Sequence, residues 1–217
     1  MNLLREYIRM LLTEAAKGPQ DLPDGVFVKI FDEGEYVLVQ YAEEDGYPVG
    51  TQHDGRTEFM PEGTPFGIVK MYKSPTGDAG LMGGWCGDAW MVMDSDAVPG
   101  WGPMLYDVAM EFASLNGGGL MSDRGGVSPD ARKVWAYYMN NRSDVTAHQM
   151  DDPENTLTPE KEDNCDQTVA GFEIEGPDTY SPRYEDVDWV KSPLSKRYTA
   201  PPAMMDKLRA VGRLMES

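Results

Sequence analysis

The stretch from Asp88 to Asn141 constrains this chain more than any other, because it sets out strand, turn and helix signals in a fixed order. Residues 89–93 are apolar and strand-prone, and they are reached through Gly83, Gly84 and Gly87. Gly100 and Gly102 then form a turn, and Pro103 opens a helix, since its fixed φ and missing N–H suit the first helical position. Leu105, Val108, Ala109 and Phe112 fall on one face of that helix, which Asn116 and the glycines at 117–119 end. Leu120 and Met121 make a short strand. Ser128 caps a second helix with Pro129 in its first turn. There Ala131, Val134, Trp135, Tyr138 and Met139 recur at i, i+3, i+4, i+7 and i+8, a stripe that belongs in a core.

The flanking segments supply more strands. Residues 26–31 and 36–41 are β-branched and aromatic runs separated by Asp32, Glu33 and Gly34, which predicts a hairpin. Residues 66–72 read as a third strand, after a turn-rich stretch at 46–63. Near the other end, residues 169–174 and 196–199 have strand character, and Met204, Leu208, Val211 and Met215 line a last amphipathic helix. At the start, Leu3, Leu4, Tyr7, Ile8, Leu11 and Leu12 share one face of a helix over 2–16, stopped by Gly18 and Pro19. The expected fold is therefore α/β in the α+β sense: a mixed, mostly antiparallel sheet flanked by helices, with amphipathic helices at both ends. The expected organisation is a helix at 1–17, a domain at 26–145, and an acidic loop with a C-terminal extension at 146–217 that packs on the same domain.

Charge narrows the partners. A formal net charge of -18 repels phosphate backbones and anionic headgroups, and no basic cluster offsets it, so neither nucleic acid nor a membrane surface is expected. The acidity is also compatible with a basic protein partner, although a well-solvated surface is its more common meaning. Cys86 and Cys165 are far apart and lie in no CxxC or Cys/His cluster, so neither a disulfide framework nor a zinc site is signalled and a reducing compartment is expected. His53 and His148 have no partner at metal-ligand spacing. The carboxylates at 151, 152, 154, 160, 162, 163 and 166 lack the order of an EF-hand and read as a solvated loop, although a hard cation such as calcium is the ligand such a run could collect.

The series from Asp88 to Tyr138, with its Gly100-Trp-Gly102 turn and its two capped helices, resembles the acyl-CoA-binding half of the GNAT (GCN5-related N-acetyltransferase) superfamily. The resemblance covers about a quarter of the chain well and the earlier strands more loosely. It implies that Val98, Gly100, Gly102 and Met104 cradle the pyrophosphate of acetyl-CoA, because helix-start amides carry partial positive charge and glycine lets backbone approach the ligand. Arg124, just after the short strand, is the best side-chain contact for an anion. It further implies a tyrosine general acid on the second helix; Trp135 holds the matching position, and Tyr138 stands one turn later. Asp94 and Glu111 are the candidate general bases.

This chain departs from the family pattern in several places. Ala97 stands where the family usually has Gln or Arg, no Lys or Arg occurs between Lys73 and Arg124, and Asp88, Asp94, Asp96 and Asp107 surround the turn in sequence. The helix pair that usually separates the first two strands is replaced by a tight turn. The opening residues resemble the N-termini of marine tailed-bacteriophage proteins, and residues 121–145 resemble GNAT-like phage proteins. The implied function is a GNAT-like domain, catalytically degenerate, acting as a structural or binding component of a phage particle. Its partners would be other phage proteins, met through residues 2–16 and the acidic surface, in the host cytoplasm or the virion. The alternative is an active N-acetyltransferase that moves an acyl group from acetyl-CoA to an amine.

Overall fold

Hairpin and glycine-turn signals lead to a mixed sheet in the computed structural model. It describes residues 16–50, 64–73, 86–122, 127, 129–151, 157–161, 163–165, 173–174, 183–184 and 189–217. The helix expected at 2–16, Arg124, Ser128 and the expected strand at 169–172 lie outside these residues. The strands are β1 (Val26–Asp32), β2 (Tyr36–Glu43), β3 (Gly67–Lys73), β4 (Trp90–Ala97), β5 (Leu120–Ser122), β6 (Thr146–Gln149), β7 (Glu173–Ile174), β8 (Arg183–Tyr184), β9 (Lys196–Thr199) and β10 (Leu214–Glu216). The helices are α1 (Gly102–Leu115), α2 (Pro129–Asn141) and α3 (Ala203–Ala210). Eight strands run in the order β10-β1-β2-β3-β4-β5-β9-β6, and β7 pairs with β8 alone. The sheet is mixed: β1 with β10 and β4 with β5 are parallel, while β1 with β2, β5 with β9 and β6 with β9 are antiparallel.

Two units emerge, each assembled from separate stretches of chain: Met1–Met71, Asp94–Ala109 and Pro202–Ser217 in the first, Tyr72–Met93 and Met110–Pro201 in the second. In the first, β1 and β2 form the expected hairpin. Gly34 takes φ +81°, a left-handed turn that glycine adopts without strain, and Glu33 N–H donates to the Tyr36 carbonyl at 3.0 Å. Alternation buries Val26, Val28 and Ile30 on one face of β1.

The C-terminal end departs from expectation. The helix through Met204 and Leu208 stops at Ala210 instead of continuing to Met215. Gly212 at φ +68° turns the chain, with its N–H on the Arg209 carbonyl at 3.0 Å and the Arg213 N–H on the Leu208 carbonyl at 2.8 Å. Leu214–Glu216 then pairs parallel with β1, placing Leu214 opposite Val28 and Met215 opposite Lys29. An edge strand with bare N–H and C=O groups gains more from this short partner than a few exposed residues gain from one more helical turn.

In the second unit, the first half of β4 runs parallel to β5, with Trp90, Met91 and Val92 opposite Leu120, Met121 and Ser122. Residues beyond 145 contribute β6 and β9 here. The core gathers Cys86, Ala89, Met91, Met121, Met150 and Cys165. Contrary to the sequence expectation, Cys86 and Cys165 form a disulfide, with their Cα atoms 4.8 Å apart across a sequence separation of 79. The reason is tertiary: Cys86 N–H donates to the Asn164 carbonyl at 3.1 Å, which lays the two cysteine segments side by side. A cross-link over that separation restricts the unfolded chain by on the order of 2–4 kcal/mol.

On β6, His148 lies opposite Arg197 of β9 and shares a 2.8 Å hydrogen bond with the Thr199 hydroxyl. Burial lowers its pKa below the usual histidine value, and the Arg197 charge lowers it further. A depressed folded-state pKa favours the neutral ring, so its contribution to stability is complete above the unfolded value of about 6.5 and is lost as pH falls below it. Denaturation midpoints measured from about pH 7.5 to 5 should therefore fall less steeply in His148→Gln than in the parent. Equal slopes would show that His148 does not couple to folding.

Candidate functional site

The glycine turn is built by three neighbours within its unit. Val98 N–H donates to the Phe66 carbonyl at 3.0 Å and Trp101 N–H closes back on the Val98 carbonyl at 3.0 Å. Gly100 takes φ +86°, which a side chain would strain. From β2, the Tyr41 hydroxyl donates to the Trp101 carbonyl at 2.7 Å, and the two rings meet edge to face at 5.5 Å. Burial pushes the Tyr41 hydroxyl pKa far above its usual value, so it stays a donor. Lys17 N–H donates to the Gly100 carbonyl at 3.1 Å, and the Lys17 Cγ would lie 3.7 Å from a Cβ placed on Gly100. A turn fixed from β2, from the residue before β3 and from Lys17 is preorganised.

Val98 and Gly100 are half-buried, Gly102 is half-buried with the Ala97 methyl close by, and Met104 is fully buried. These candidate cofactor residues do come together at the start of α1, but Met104 offers backbone only. Asp94 belongs to the same unit and is exposed on β4, as is Asp96; the intervening Ser95 turns the other way and bonds the Tyr106 hydroxyl at 2.8 Å. Glu111 and Tyr138 belong to the other unit and are both about 2% exposed. Tyr138 sits with its ring centroid 6.5 Å from Tyr198, beneath the Arg142 guanidinium at 5.5 Å. Trp135, which the resemblance would put at the general-acid position, is stacked on Tyr198 at 5.3 Å.

Lys73 forms an ion pair with Asp88 at 3.8 Å, both half-exposed. The basic residue at the turn is instead Lys17, which sequence reasoning missed. Its only signal was its place just before Gly18 and Pro19, which stop the expected helix, and that does not say which surface the following residues cross. Asp151 also differs from the solvated expectation for its loop, because it is completely buried and accepts the N–H groups of Leu157 and Thr158 at 2.7 and 2.9 Å. Among the described residues, no group of three or more His, Cys, Asp and Glu side chains is arranged to hold a metal, and no helix is long and apolar enough to cross a membrane. Compared with family models, curated proteins and solved structures, the chain matches none of them.

Proposed function

We propose that this chain is a GNAT-like domain protein whose acyl-transfer chemistry is degenerate and which acts as a binding or structural component of a phage particle. The observation that carries this reading is the burial of Tyr138 and Glu111: of the three candidate proton-transfer groups, only Asp94 is open to solvent. A general acid must reach the departing thiolate, and a phenol packed in an aromatic cluster does not. The parallel β4–α1–β5 connection and the glycine turn support the GNAT-like part. The phage assignment rests on the sequence resemblance and on an acidic surface suited to protein contacts.

One observation favours the second reading, an active N-acetyltransferase using acetyl-CoA. Lys17 lies against Gly100 through its backbone N–H and the Cγ of its exposed side chain, which puts a basic residue next to the turn where the local sequence has none. Calorimetric titration with acetyl-CoA at moderate salt separates the two. The helix terminus alone contributes on the order of 1 kcal/mol toward an anion, so the expected result is binding too weak to measure. Tight binding that disappears in Gly102→Glu and weakens in Lys17→Glu, with both variants folded, would restore the acetyltransferase.

A further inference from the structure

The loop after β6 closes around two carboxylates that the chain leaves incompletely satisfied. Asp151 N–H donates to the Asp163 carbonyl at 3.1 Å and Cys165 N–H to the Asp151 carbonyl at 3.0 Å, so the two ends of the loop run together as a parallel bridge. Asp151 Oδ2 accepts the two backbone N–H groups of Leu157 and Thr158. The Thr158 hydroxyl lies 2.7 Å from Asp163 Oδ2 and 3.5 Å from Asp151 Oδ2, so both carboxylates converge on one hydroxyl that has a single proton to give.

The remaining oxygens are bare. Asp151 Oδ1, Asp163 Oδ1 and Asn164 Oδ1 are all buried and receive no hydrogen bond, and the Asp151 side chain is 0% exposed. An anionic oxygen withdrawn from water without a donor is costly, and a second carboxylate beside it raises the cost. One positive charge is near: Asp163 acts electrostatically on Arg197, opposing the burial that lowers the Arg197 pKa. Arg197 spends one N–H on the Gly118 carbonyl at 2.6 Å, and its Nε is itself without an acceptor, so it donates to none of the three oxygens through that atom. What singles out this place is therefore the set of bare oxygens rather than the number of acids.

We propose that Asp151, Asp163 and Asn164 bind a hard divalent cation, with Ca²⁺ preferred. Two carboxylates and an amide oxygen make an all-oxygen donor set, which selects hard cations over zinc or copper. Ca²⁺ accepts irregular geometry with water in the remaining positions, whereas Mg²⁺ demands a near-ideal octahedron that a loop of this kind does not impose. Three protein oxygens place the affinity in the weak class, about 10⁻⁴–10⁻³ M. The cation would tie together the loop that joins β6 to the Cys165 segment.

Terbium(III), a calcium mimic that luminesces when an excited indole is close, provides the test. Trp189 donates its Nε1–H to the Met150 carbonyl at 2.8 Å, one residue from Asp151, and so serves as the antenna. The full-length protein should show sensitised Tb³⁺ emission that millimolar Ca²⁺ displaces, and Ca²⁺ should raise the thermal unfolding midpoint. Asp151→Asn and Asp163→Asn keep side-chain shape and should weaken Tb³⁺ by about tenfold or more. Glu160→Gln, an exposed acid of the same loop, should leave it unchanged. No emission from the folded protein, or emission reduced as much by Glu160→Gln as by Asp151→Asn, would overturn the site; the second result would mean diffuse attraction to an acidic surface.

Discussion

Gly118→Ala should destabilise the protein by about 3 kcal/mol or more, a large effect for one methyl group. A Cβ at Gly118 would stand 1.7 Å from the Gly87 carbonyl oxygen and 2.8 Å from its carbon, so backbone would have to move. That backbone has little freedom. Cys86, Gly87 and Asp88 are all left-handed, at φ +37°, +62° and +58°, and the turn is held by the Gly118 N–H on the Asp88 carbonyl at 2.8 Å. Left-handed backbone costs a non-glycine residue about 1–2 kcal/mol, so Cys86 and Asp88 keep it only while their neighbours impose it. Urea denaturation followed by far-UV circular dichroism measures the loss. Gly34→Ala is the comparison: it has a left-handed φ but open space around it, and should cost only about 1 kcal/mol. If Gly118→Ala proved the milder of the two, the close backbone approach would be wrong.

Trp135→Ala should cost about 3–5 kcal/mol, the range for emptying an aromatic site in a core. The indole is 1% exposed and stacked on Tyr198 with 28° between the planes. Tyr198 is also held through its hydroxyl, which donates to the Pro193 carbonyl at 2.6 Å, so it does not move freely to fill the gap. Trp135→Phe retains a ring against Tyr198 and should recover more than half of the loss. Denaturant midpoints for the two variants, with near-UV circular dichroism to report on aromatic packing, provide the check. A cost below about 1 kcal/mol for Trp135→Ala would mean that this helix is not anchored where the stacking places it.

Trp135 also shows how far local pattern carries. Its stripe on α2, with Tyr138, announced a helix and a buried face, and both are present. The hairpin signal of Asp32, Glu33 and Gly34 and the Pro103 helix start were equally legible, because they depend on φ, on side-chain periodicity and on residues within a few positions. The glycine turn before α1 was legible for the same reason: Gly100 and Gly102 are neighbours in sequence, and the turn is closed by residues a few positions apart.

What the tertiary structure alone decided involves residues that meet across long separations. Leu214–Glu216 is too short for periodicity to distinguish a strand from a helical turn, and only the open edge of β1 made it a strand. Thr146–Gln149 carries Ala147, His148 and Gln149, none of them strong strand formers, and pairing with β9 gave it its conformation. Cys86 and Cys165 meet because the segments that carry them hydrogen-bond to each other, and Lys17 reaches Gly100 through a backbone contact that no spacing encodes. Burial of Asp151 belongs with these. Acidic composition argued for water, but the amides of Leu157 and Thr158 fold over the carboxylate and withdraw it from solvent. Sequence determines conformation where the determining contacts are local; once a group's solvation depends on segments brought together by the sheet, composition no longer predicts it.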